Sequence, residues 1–432
     1  MRYFKVISSI FLILCEIQAL FTLNESSLEL IMKTSLIILF LLSSAFISCN
    51  SEKKKVEPTK QWYKGNLHTH SYWSDGDDYP EMIMDWYKSH DYDFVVLSDH
   101  NTLAEGEKWK LIPKSPSHEM GFQKYFEKYG DQVIYREDSA GRIEVKLKTL
   151  AEYAPMFEEQ GEFLIIQSQE LTENFEKKPL HMNVTNIQKL IPAEGGNSVP
   201  EILQNGLDRV KAQRDSTGVP MFLHINHPNF IWAITPEDIM ALDGERFFEV
   251  YNGHPMVNNY GDSLRPSMEV LWDKVQVAYL TDGKPLLYGL AVDDAHNYHV
   301  FDQVSSNPGR GWVMVLAEDL SPSSLIKAME RGDFYSTTGV TLAAIDFDGE
   351  SLSIEVEPEE GITYKIQFFG TKKSNRTLSG VLLKEEQGLS SSYTLEEDDM
   401  YVRAKIISSK LKENPYQIGD MELSWTQPVL KK

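Results

Sequence analysis

The sequence predicts an α/β fold, with strand and helix units around a parallel sheet or barrel, followed by a small antiparallel β-sandwich. Three observations carry that reading. From Trp62 onward, short apolar runs of strand length alternate with amphipathic stretches, the pattern of βα units. Ionisable residues follow those runs one after another, at the carboxyl ends where parallel α/β architectures collect function. After about Val340, polar and apolar residues alternate with turn signals between them, as in LSIEVEP, TYKIQFFGTK, SSYTLEED and YVRAKIISSK, the texture of paired strands with one buried face.

From the N-terminus, residues 32–49 read MKTSLIILFLLSSAFISC: a lysine, an apolar run of leader length, and small residues ending in Cys49. This resembles a bacterial lipoprotein signal, with Phe46 where such signals usually carry Leu, while residues 1–31 form a second apolar stretch upstream. The resemblance implies a leader over 1–49 and a lipid on Cys49, hence a protein of the bacterial cell envelope, periplasm-facing or at the surface, held to the membrane through that anchor alone. Residues 50–61 are charged, lack an apolar face and contain Pro58, which predicts a flexible tether. The domain predicted over 62–340 offers candidate strands at 63–67, 94–98, 163–168, 221–225, 247–251 and 286–291. An insertion over about 104–160, rich in charge and aromatics, reads as mostly helical with a turn at EDSAGR, forming either a lid or rim or a plain structural elaboration. Residues 341–432 form the predicted sandwich; it contains no histidine and is not expected to hold metal.

A chain of 432 residues has room for one large domain and a smaller companion. Its 42 Lys and Arg stand against 64 Asp and Glu, a formal net charge of −22, which repels a phosphate backbone and argues against a nucleic acid polymer as partner. A small anion is not excluded, because a local metal cluster dominates the field within a few ångströms. The only cysteines are Cys15 and Cys49, so the body of the protein has neither a disulfide nor a thiolate metal site. It also has no GxSxG elbow and no P-loop, the signals of a serine nucleophile and a nucleotide cradle.

Residues of metal-ligand type gather at the strand ends. In LHTHSYWSDG, His68 and His70 alternate on a strand end and face one side, about 7 Å apart along the chain, with Asp75 in reach of a neighbouring ion. VVLSDHN supplies His100, and beside it Asp99, placed to orient a ligand or to protonate a leaving group. IIQSQELTENF places Glu170 at a strand end, and His181 follows in PLHMNVTN. FLHINHPN offers His227, while His224 inside the strand reads as a core residue or a support for a ligand. GLAVDDAHNYH offers Asp293, Asp294, His296 and His299. His254 in YNGH lines a pocket or caps a loop and is a second candidate proton donor. Arg310 in NPGRGW is either a loop arginine or a phosphate clamp, since a guanidinium grips two oxygens at once. Each motif alone is a common accident of strands and turns; their joint occurrence in one domain is not. Imidazole and carboxylate without thiolate select zinc, manganese or iron. Two or three such ions can polarise a phosphoryl oxygen, lower the pKa of a bridging water and stabilise the leaving oxygen.

The ordered set HTHSYWSDG, LSDHN, QSQE, LHMN, INHPN and DDAH, over roughly Trp62 to Gly339, resembles the polymerase and histidinol phosphatase (PHP) superfamily of metallohydrolases. The resemblance implies a distorted (β/α)7 barrel with a trinuclear site at its carboxyl face. It implies one ion on His68, His70, Glu170 and Asp294, a second on His181 and His227 with Glu170 bridging, and a third on Asp75, His100 and His296. The family's Asp-x-His spacing selects Asp294 over Asp293. The insertion departs from the most compact members, and the C-terminal β-domain looks like that of lipoprotein-like members without an assigned substrate. The implied activity is a phosphoesterase, acting on mono- or diesters of a small phosphorylated substrate with two or three divalent ions. Two other functions fit the same residues: hydrolysis of a carboxyl ester or carbamate, and a lipid-anchored, non-catalytic binding protein on a PHP scaffold.

Overall fold

The computed structural model describes residues 60–432; the expected leader, Cys15, Cys49 and nearly all of the tether lie outside the described residues. The α/β part runs β1 (Gln61–Asn66), α1 (Pro80–Ser89), β2 (Phe94–Leu97), β3 (Trp109–Leu111), α2 (Pro116–Tyr129), β4 (Tyr135–Glu137), β5 (Ile143–Lys146), α3 (Leu150–Phe157), β6 (Leu164–Phe175) and β7 (Lys178–Thr185). It continues with α4 (Val199–Thr217), β8 (Phe222–Ile225), α5 (Pro236–Met240), β9 (Phe247–Asn252), α6 (Met268–Thr281), β10 (Tyr288–Val292), β11 (Trp312–Ala317), α7 (Pro322–Glu330) and β12 (Phe334–Thr337). The C-terminal part is all strand: β13 (Leu342–Phe347), β14 (Ser351–Val356), β15 (Tyr364–Lys372), β16 (Val381–Gln387), β17 (Ser390–Thr394), β18 (Asp399–Leu411) and β19 (Met421–Thr426). Local chemistry sets the helix starts: the side chains of Ser198, Ser267 and Ser321 accept first-turn N–H groups of α4, α6 and α7. Among the described residues, no helix is long and apolar enough to cross a membrane.

All six candidate strands form, with two departures. Gln61, assigned to the tether, is already in β1 because it pairs with Ala317 of β11. β6 runs on to Phe175, since β7 folds back along it from Lys178; Glu170 therefore lies inside a strand rather than at its end. β1, β2, β6, β8, β9 and β10 run parallel, with β7 antiparallel between β6 and β8.

These strands belong to a 13-stranded sheet that continues from β1 through β11, β12, β19, β18, β15 and β16. No ladder joins β10 to the far side, so the sheet is open where the expected barrel would close. The reason is that both edges of β12 are taken, by β11 and β19. Side chains stitch the free edge of β10 instead. Ser336 Oγ accepts from the Ala291 N–H at 3.0 Å and donates to Gly289 O at 2.8 Å. Gln427 accepts from the Gly289 N–H at 2.9 Å and donates to the same Gly289 O at 3.0 Å.

The inner faces of the parallel strands meet around one core of Tyr63, Phe94, Ile166, Phe222, Phe247, Leu290, Val313 and Phe334, against which α7 lays Leu325, Ile326 and Met329. Each such side chain contributes roughly 1.5–3 kcal/mol by leaving water. Gly65 lets β1 reach that core, because a Cβ there would stand 2.1 Å from the Phe94 ring. The insertion is less helical than expected. β3, β5 and β4 form their own antiparallel sheet, which packs with Tyr125 of α2 against Tyr72, Trp73 and Tyr79. Lys110 Nζ donates to Ser74 O at 3.0 Å, and Lys108 Nζ donates to Trp73 O, so the insertion buttresses the loop that carries Asp75.

In the C-terminal part, β13, β14 and β17 form a separate antiparallel sheet, whose Leu342, Leu352 and Ile354 share a core with Ile366, Phe368, Val402 and Ile406 of β15 and β18. A buried ion pair locks β18 to α6: Arg403 donates to Asp273 through Nε at 2.9 Å and through Nη2 at 2.7 Å, and Tyr401 Oη adds a bond at 2.7 Å. Asp273→Ala would leave the guanidinium buried without its partner. The expected loss is about 3–5 kcal/mol of unfolding free energy, read as a lower urea midpoint at unchanged slope.

Glu245, just before β9, accepts the N–H groups of Arg246 and Phe247 on Oε1 at 2.6 Å each, while Oε2 meets no donor. Burial pushes its carboxyl up from 4.5 to about 8. A value raised on folding means that the contribution to stability is whole below pH 4.5 and is lost as pH climbs through 8. Glu245→Gln is therefore expected to raise the urea midpoint at about pH 9 and to leave it unchanged at about pH 4.

Candidate metal centre

Beyond β1 the chain bends at Leu67, and Thr69 then bridges parallel to Ala295, so that the segment through His70 is held on both sides. Asp294 N donates to His68 O at 3.0 Å, His70 N to Ala295 O at 2.9 Å, and Ser98 N to Thr69 O at 2.8 Å. Alternation then sends His68 and His70 to one side and Thr69 to the other, where Asn66 Nδ2 meets Thr69 Oγ1 at 2.8 Å. His227 and Asp294 have positive φ, 24° and 51°, an uncommon region in which Asp and His are nevertheless enriched. Such strain persists where surrounding structure over-determines it, as at ligand positions.

The residues implied as the first ligand set face one another at regular spacings. His68 Nε2 lies 3.1 Å from His70 Nε2, 3.1 Å from Asp294 Oδ1 and 3.4 Å from Glu170 Oε1. His70 Nε2 lies 3.3 Å from Asp294 Oδ1 and 3.4 Å from Glu170 Oε2. Tetrahedral bonds of about 2.0–2.2 Å from imidazole and carboxylate to zinc put neighbouring donors roughly 3.3–3.6 Å apart. The donor set therefore fits a divalent metal ion. Glu170 Oε2 supports the same conclusion: it is buried without an aligned donor although His100 Nδ1 is 2.7 Å away.

The remaining predicted ligands surround this group. Glu170 Oε1 lies 3.0 Å from His181 Nδ1 and 3.7 Å from His227 Nε2, which puts the carboxylate between two sets of imidazoles. Asp75 meets His70 Nδ1 at 3.5 Å, His100 Nε2 at 3.4 Å and His296 Nε2 at 3.5 Å. Donor atoms within 4.8 Å of one another form the sets His70, Asp75, His100 and His296; His68, His70 and Glu170; His100, Glu170 and His181; and His68, His227 and Asp294. The structure thus brings all the predicted ligands together. The His181 ring lies 5.1 Å from those of both His100 and His227, and His227 also faces Asp294 Oδ2 at 3.8 Å.

Electrostatics keeps the carboxylates ionised. Burial works to raise Glu170 and Asp294, but the facing imidazoles, led by His100 for Glu170 and His68 for Asp294, hold both well below the usual range. Asp75 is lowered in the same way, against its burial, chiefly by His100. Burial, with repulsion from His296, pushes His70 down to about 3. For His68 and His100 the carboxylates outweigh burial and raise the ring, His100 to about 11. Ionised carboxylates and neutral imidazoles are the forms that bind metals, so a cation here would displace the protons of His68 and His100.

Of the candidate catalytic residues, Asp99 and Arg310 are engaged away from the donor cluster and His254 borders it. Asp99 is committed to the loop after His70: its oxygens accept from Ser71 N at 2.8 Å, Ser71 Oγ at 2.7 Å and Ser74 Oγ at 2.6 Å. Arg310 is fully buried. Its Nη atoms donate to Gly253 O at 2.8 Å, Ser305 O at 2.7 Å, Asp302 O at 2.5 Å and Asn414 Oδ1 at 3.1 Å, so it ties loops together and has no free fork for a phosphate. Asp293 is likewise structural, accepting from Arg310 N at 2.6 Å and from Tyr87 Oη at 2.8 Å. His254 does border the centre, its ring 5.5 Å from that of His296, and burial lowers it to about 4.

Sequence reasoning passed over Glu249, Asn226 and Asn252. Asn226 Nδ2 donates to Glu170 Oε1 at 2.7 Å, Asn252 Nδ2 donates to Asp294 Oδ2 at 3.1 Å, and Glu249 meets His68 and His224. The available signal was a glutamate in the middle of FFEVYN, an otherwise apolar strand. If the tetrad is a metal site, His70→Ala and Asp294→Ala should each retain at least tenfold less zinc or manganese than the unaltered protein after desalting, as measured by mass spectrometry of bound metal, with far-ultraviolet circular dichroism unchanged.

No family model matches the chain. No curated protein matches it either. Among solved structures it is similar to a two-domain protein from Bacteroides vulgatus containing a predicted PHP-like metal-dependent phosphoesterase, at 13% identity over 86% of this chain and 96% of that one, with a TM-score of 0.38. It is also similar to a candidate metal-dependent phosphoesterase from Bifidobacterium adolescentis, at 11% identity, 54% and 87% coverage and a TM-score of 0.25. A third is an amidohydrolase from Chromobacterium violaceum, at 13% identity, 54% and 87% coverage and a TM-score of 0.23. At this level of likeness no residue role passes from them to this chain.

Proposed function

We propose that the chain is a metal-dependent hydrolase of phosphoesters of small molecules, using the pocket bounded by His68, His70, Glu170 and Asp294. The observation that carries this reading is the 3.1–3.4 Å spacing of their donor atoms. Divalent ions held there supply Lewis acidity toward an ester oxygen and bring the pKa of water toward neutrality. Several cation positions side by side match the several oxygens of a phosphoryl group; a carbonyl presents only one. That favours phosphoester over carboxyl ester or carbamate, which stands as the alternative. A non-catalytic binding protein would have no need for so many buried ionised groups, each of which costs free energy unless it is paired.

The chain's own groups then have distinct tasks. Glu170 lies between the imidazole sets and accepts from Asn226, which fixes its carboxylate plane. His254 Nδ1 accepts from the Met256 N–H at 3.1 Å, an assignment that leaves the ring proton on Nε2. A neutral ring of that tautomer can donate a hydrogen bond to a substrate oxygen. With Asp99 engaged elsewhere and the His254 ring held neutral by burial, protonation of the leaving group falls to solvent.

The rim favours an apolar leaving group. The Phe230 ring lies 5.0 Å from that of His227 and 5.6 Å from that of His254, and Phe230 bridges antiparallel to Val257. Ile231 and Met256, chain neighbours of the two bridged residues, are both more than half exposed. Ile231 also has a φ of 50°, which is strained for a β-branched residue. Location in the bacterial envelope, anchored at Cys49, is part of the proposal and rests on the leader alone.

Zinc- or manganese-loaded protein is expected to hydrolyse aryl phosphate faster than aryl acetate, and aryl phosphate faster than sugar phosphates. Chelation should abolish turnover, and Glu170→Gln should lower kcat at least a thousandfold. Faster turnover of aryl acetate would transfer the assignment to carboxyl esters, and no turnover of any ester by loaded protein would remove it.

A further inference from the structure

We infer that Glu249 is the positioning residue of the metal centre: it sets the tautomer of His68, holds the backbone of His227 and, through Asn252, orients Asp294. The inference rests on the metal-centre reading above and extends it to a residue outside the ligand set. Glu249 lies in the middle of β9 and is wholly buried. Both of its oxygens are filled. Oε1 lies 2.7 Å from His68 Nδ1 and 3.3 Å from His224 Nε2. Oε2 accepts from His227 N at 2.7 Å and from Asn252 Nδ2 at 2.8 Å. The same Asn252 Nδ2 reaches Asp294 Oδ2 at 3.1 Å.

Two of these four donors, His68 Nδ1 and His227 N, belong to proposed ligands, and a third, Asn252, reaches Asp294; the three ligands follow different strands. With Nδ1 donating to Glu249, the lone pair of His68 is on Nε2, the atom that faces His70, Glu170 and Asp294. A carboxylate behind an imidazole in this way fixes ring orientation and raises the basicity of the ligating nitrogen. The bond to His227 N braces the backbone where φ is 24°. His224 completes the arrangement as a second donor to Oε1; its own Nδ1 is buried with no partner, which suits a neutral ring anchored through Nε2 alone.

The chemistry demands an ionised carboxylate. Four donors point at two oxygens, and a glutamine of the same shape offers one oxygen and an NH2 that would face two further donors. Glu249→Gln should therefore weaken metal binding although it preserves volume, whereas a residue that merely filled space would tolerate the change.

The test uses the full chain stripped of metal with a chelator. Zinc affinity is measured by competition with a chromophoric chelator for the unaltered protein, E249Q and E249D, alongside thermal unfolding of the stripped forms. The histidine tautomers of zinc-loaded, 15N-histidine-labelled, unaltered protein are read by NMR. The expected results are His68 as the Nδ1–H tautomer in the unaltered protein, and a dissociation constant for zinc raised 10- to 100-fold in E249Q, with partial recovery in E249D. Equal affinity in E249Q and the unaltered protein, or a His68 proton on Nε2 in the unaltered protein, would overturn the inference while leaving the metal centre intact. If E249Q does not fold, the tautomer measurement still decides. Unaltered protein that binds no zinc or manganese would instead remove the metal-centre reading itself.

Discussion

Ionised carboxylates buried among imidazoles are the constraint on which the rest of this molecule depends. Glu170 and Asp294 are almost fully excluded from solvent, and a lone carboxylate in such a place would take up a proton rather than persist as an anion. Here each faces several ring nitrogens. Neither species is tolerable alone at that depth, and together they define a pocket whose natural occupant is a cation. Every other feature of the α/β part can be described as a means of bringing these groups to one point from distant places in the chain.

Topology supplies the convergence. Six parallel strands run in the same direction, so the segments that follow β1, β2, β8 and β10 reach one side of the sheet, where His100 bridges to Glu170 inside β6. The antiparallel β7 carries His181 back over Glu170. The apolar faces of the same strands close on a single core beneath the site, which gives the ligands a rigid floor. The insertion and its lysines support the loop bearing Asp75 from the side. Rigidity matters here because ligand atoms only a few tenths of an ångström out of place lose a metal bond.

Much of this was legible in the sequence because strand ends are marked twice, by an apolar run and by the polar residue that follows it. LHTH, LSDH and AVDD each carry both marks, and the corresponding residues meet in space. The hidden parts were those whose role depends on a partner far along the chain. Glu249 sits inside an apolar strand, where nothing local separates it from an ordinary buried polar residue; only the position of His68, 181 residues away, gives it meaning. Arg310 had the residue type for a phosphate clamp, but carbonyls of two loops, at Gly253 and at Asp302 and Ser305, engage both of its Nη atoms. Asp99 follows a strand as His100 does, yet adjacent positions point opposite ways, so one reaches the centre and the other the loop behind it. The open edge of β10 was equally invisible, because it follows from which neighbours β12 already has.

The stitching of that edge has a consequence for how the protein can be divided. The partner of β12 on one side is β19, and the amides of Gly289 in β10 are satisfied by Gln427, just past β19. Cutting the chain after β12 would uncover two raw strand margins at once, the kind of surface through which polypeptides add to one another and precipitate. The C-terminal module is thus no detachable appendage of the α/β part; it is the hem that keeps the larger sheet from unravelling into intermolecular pairing.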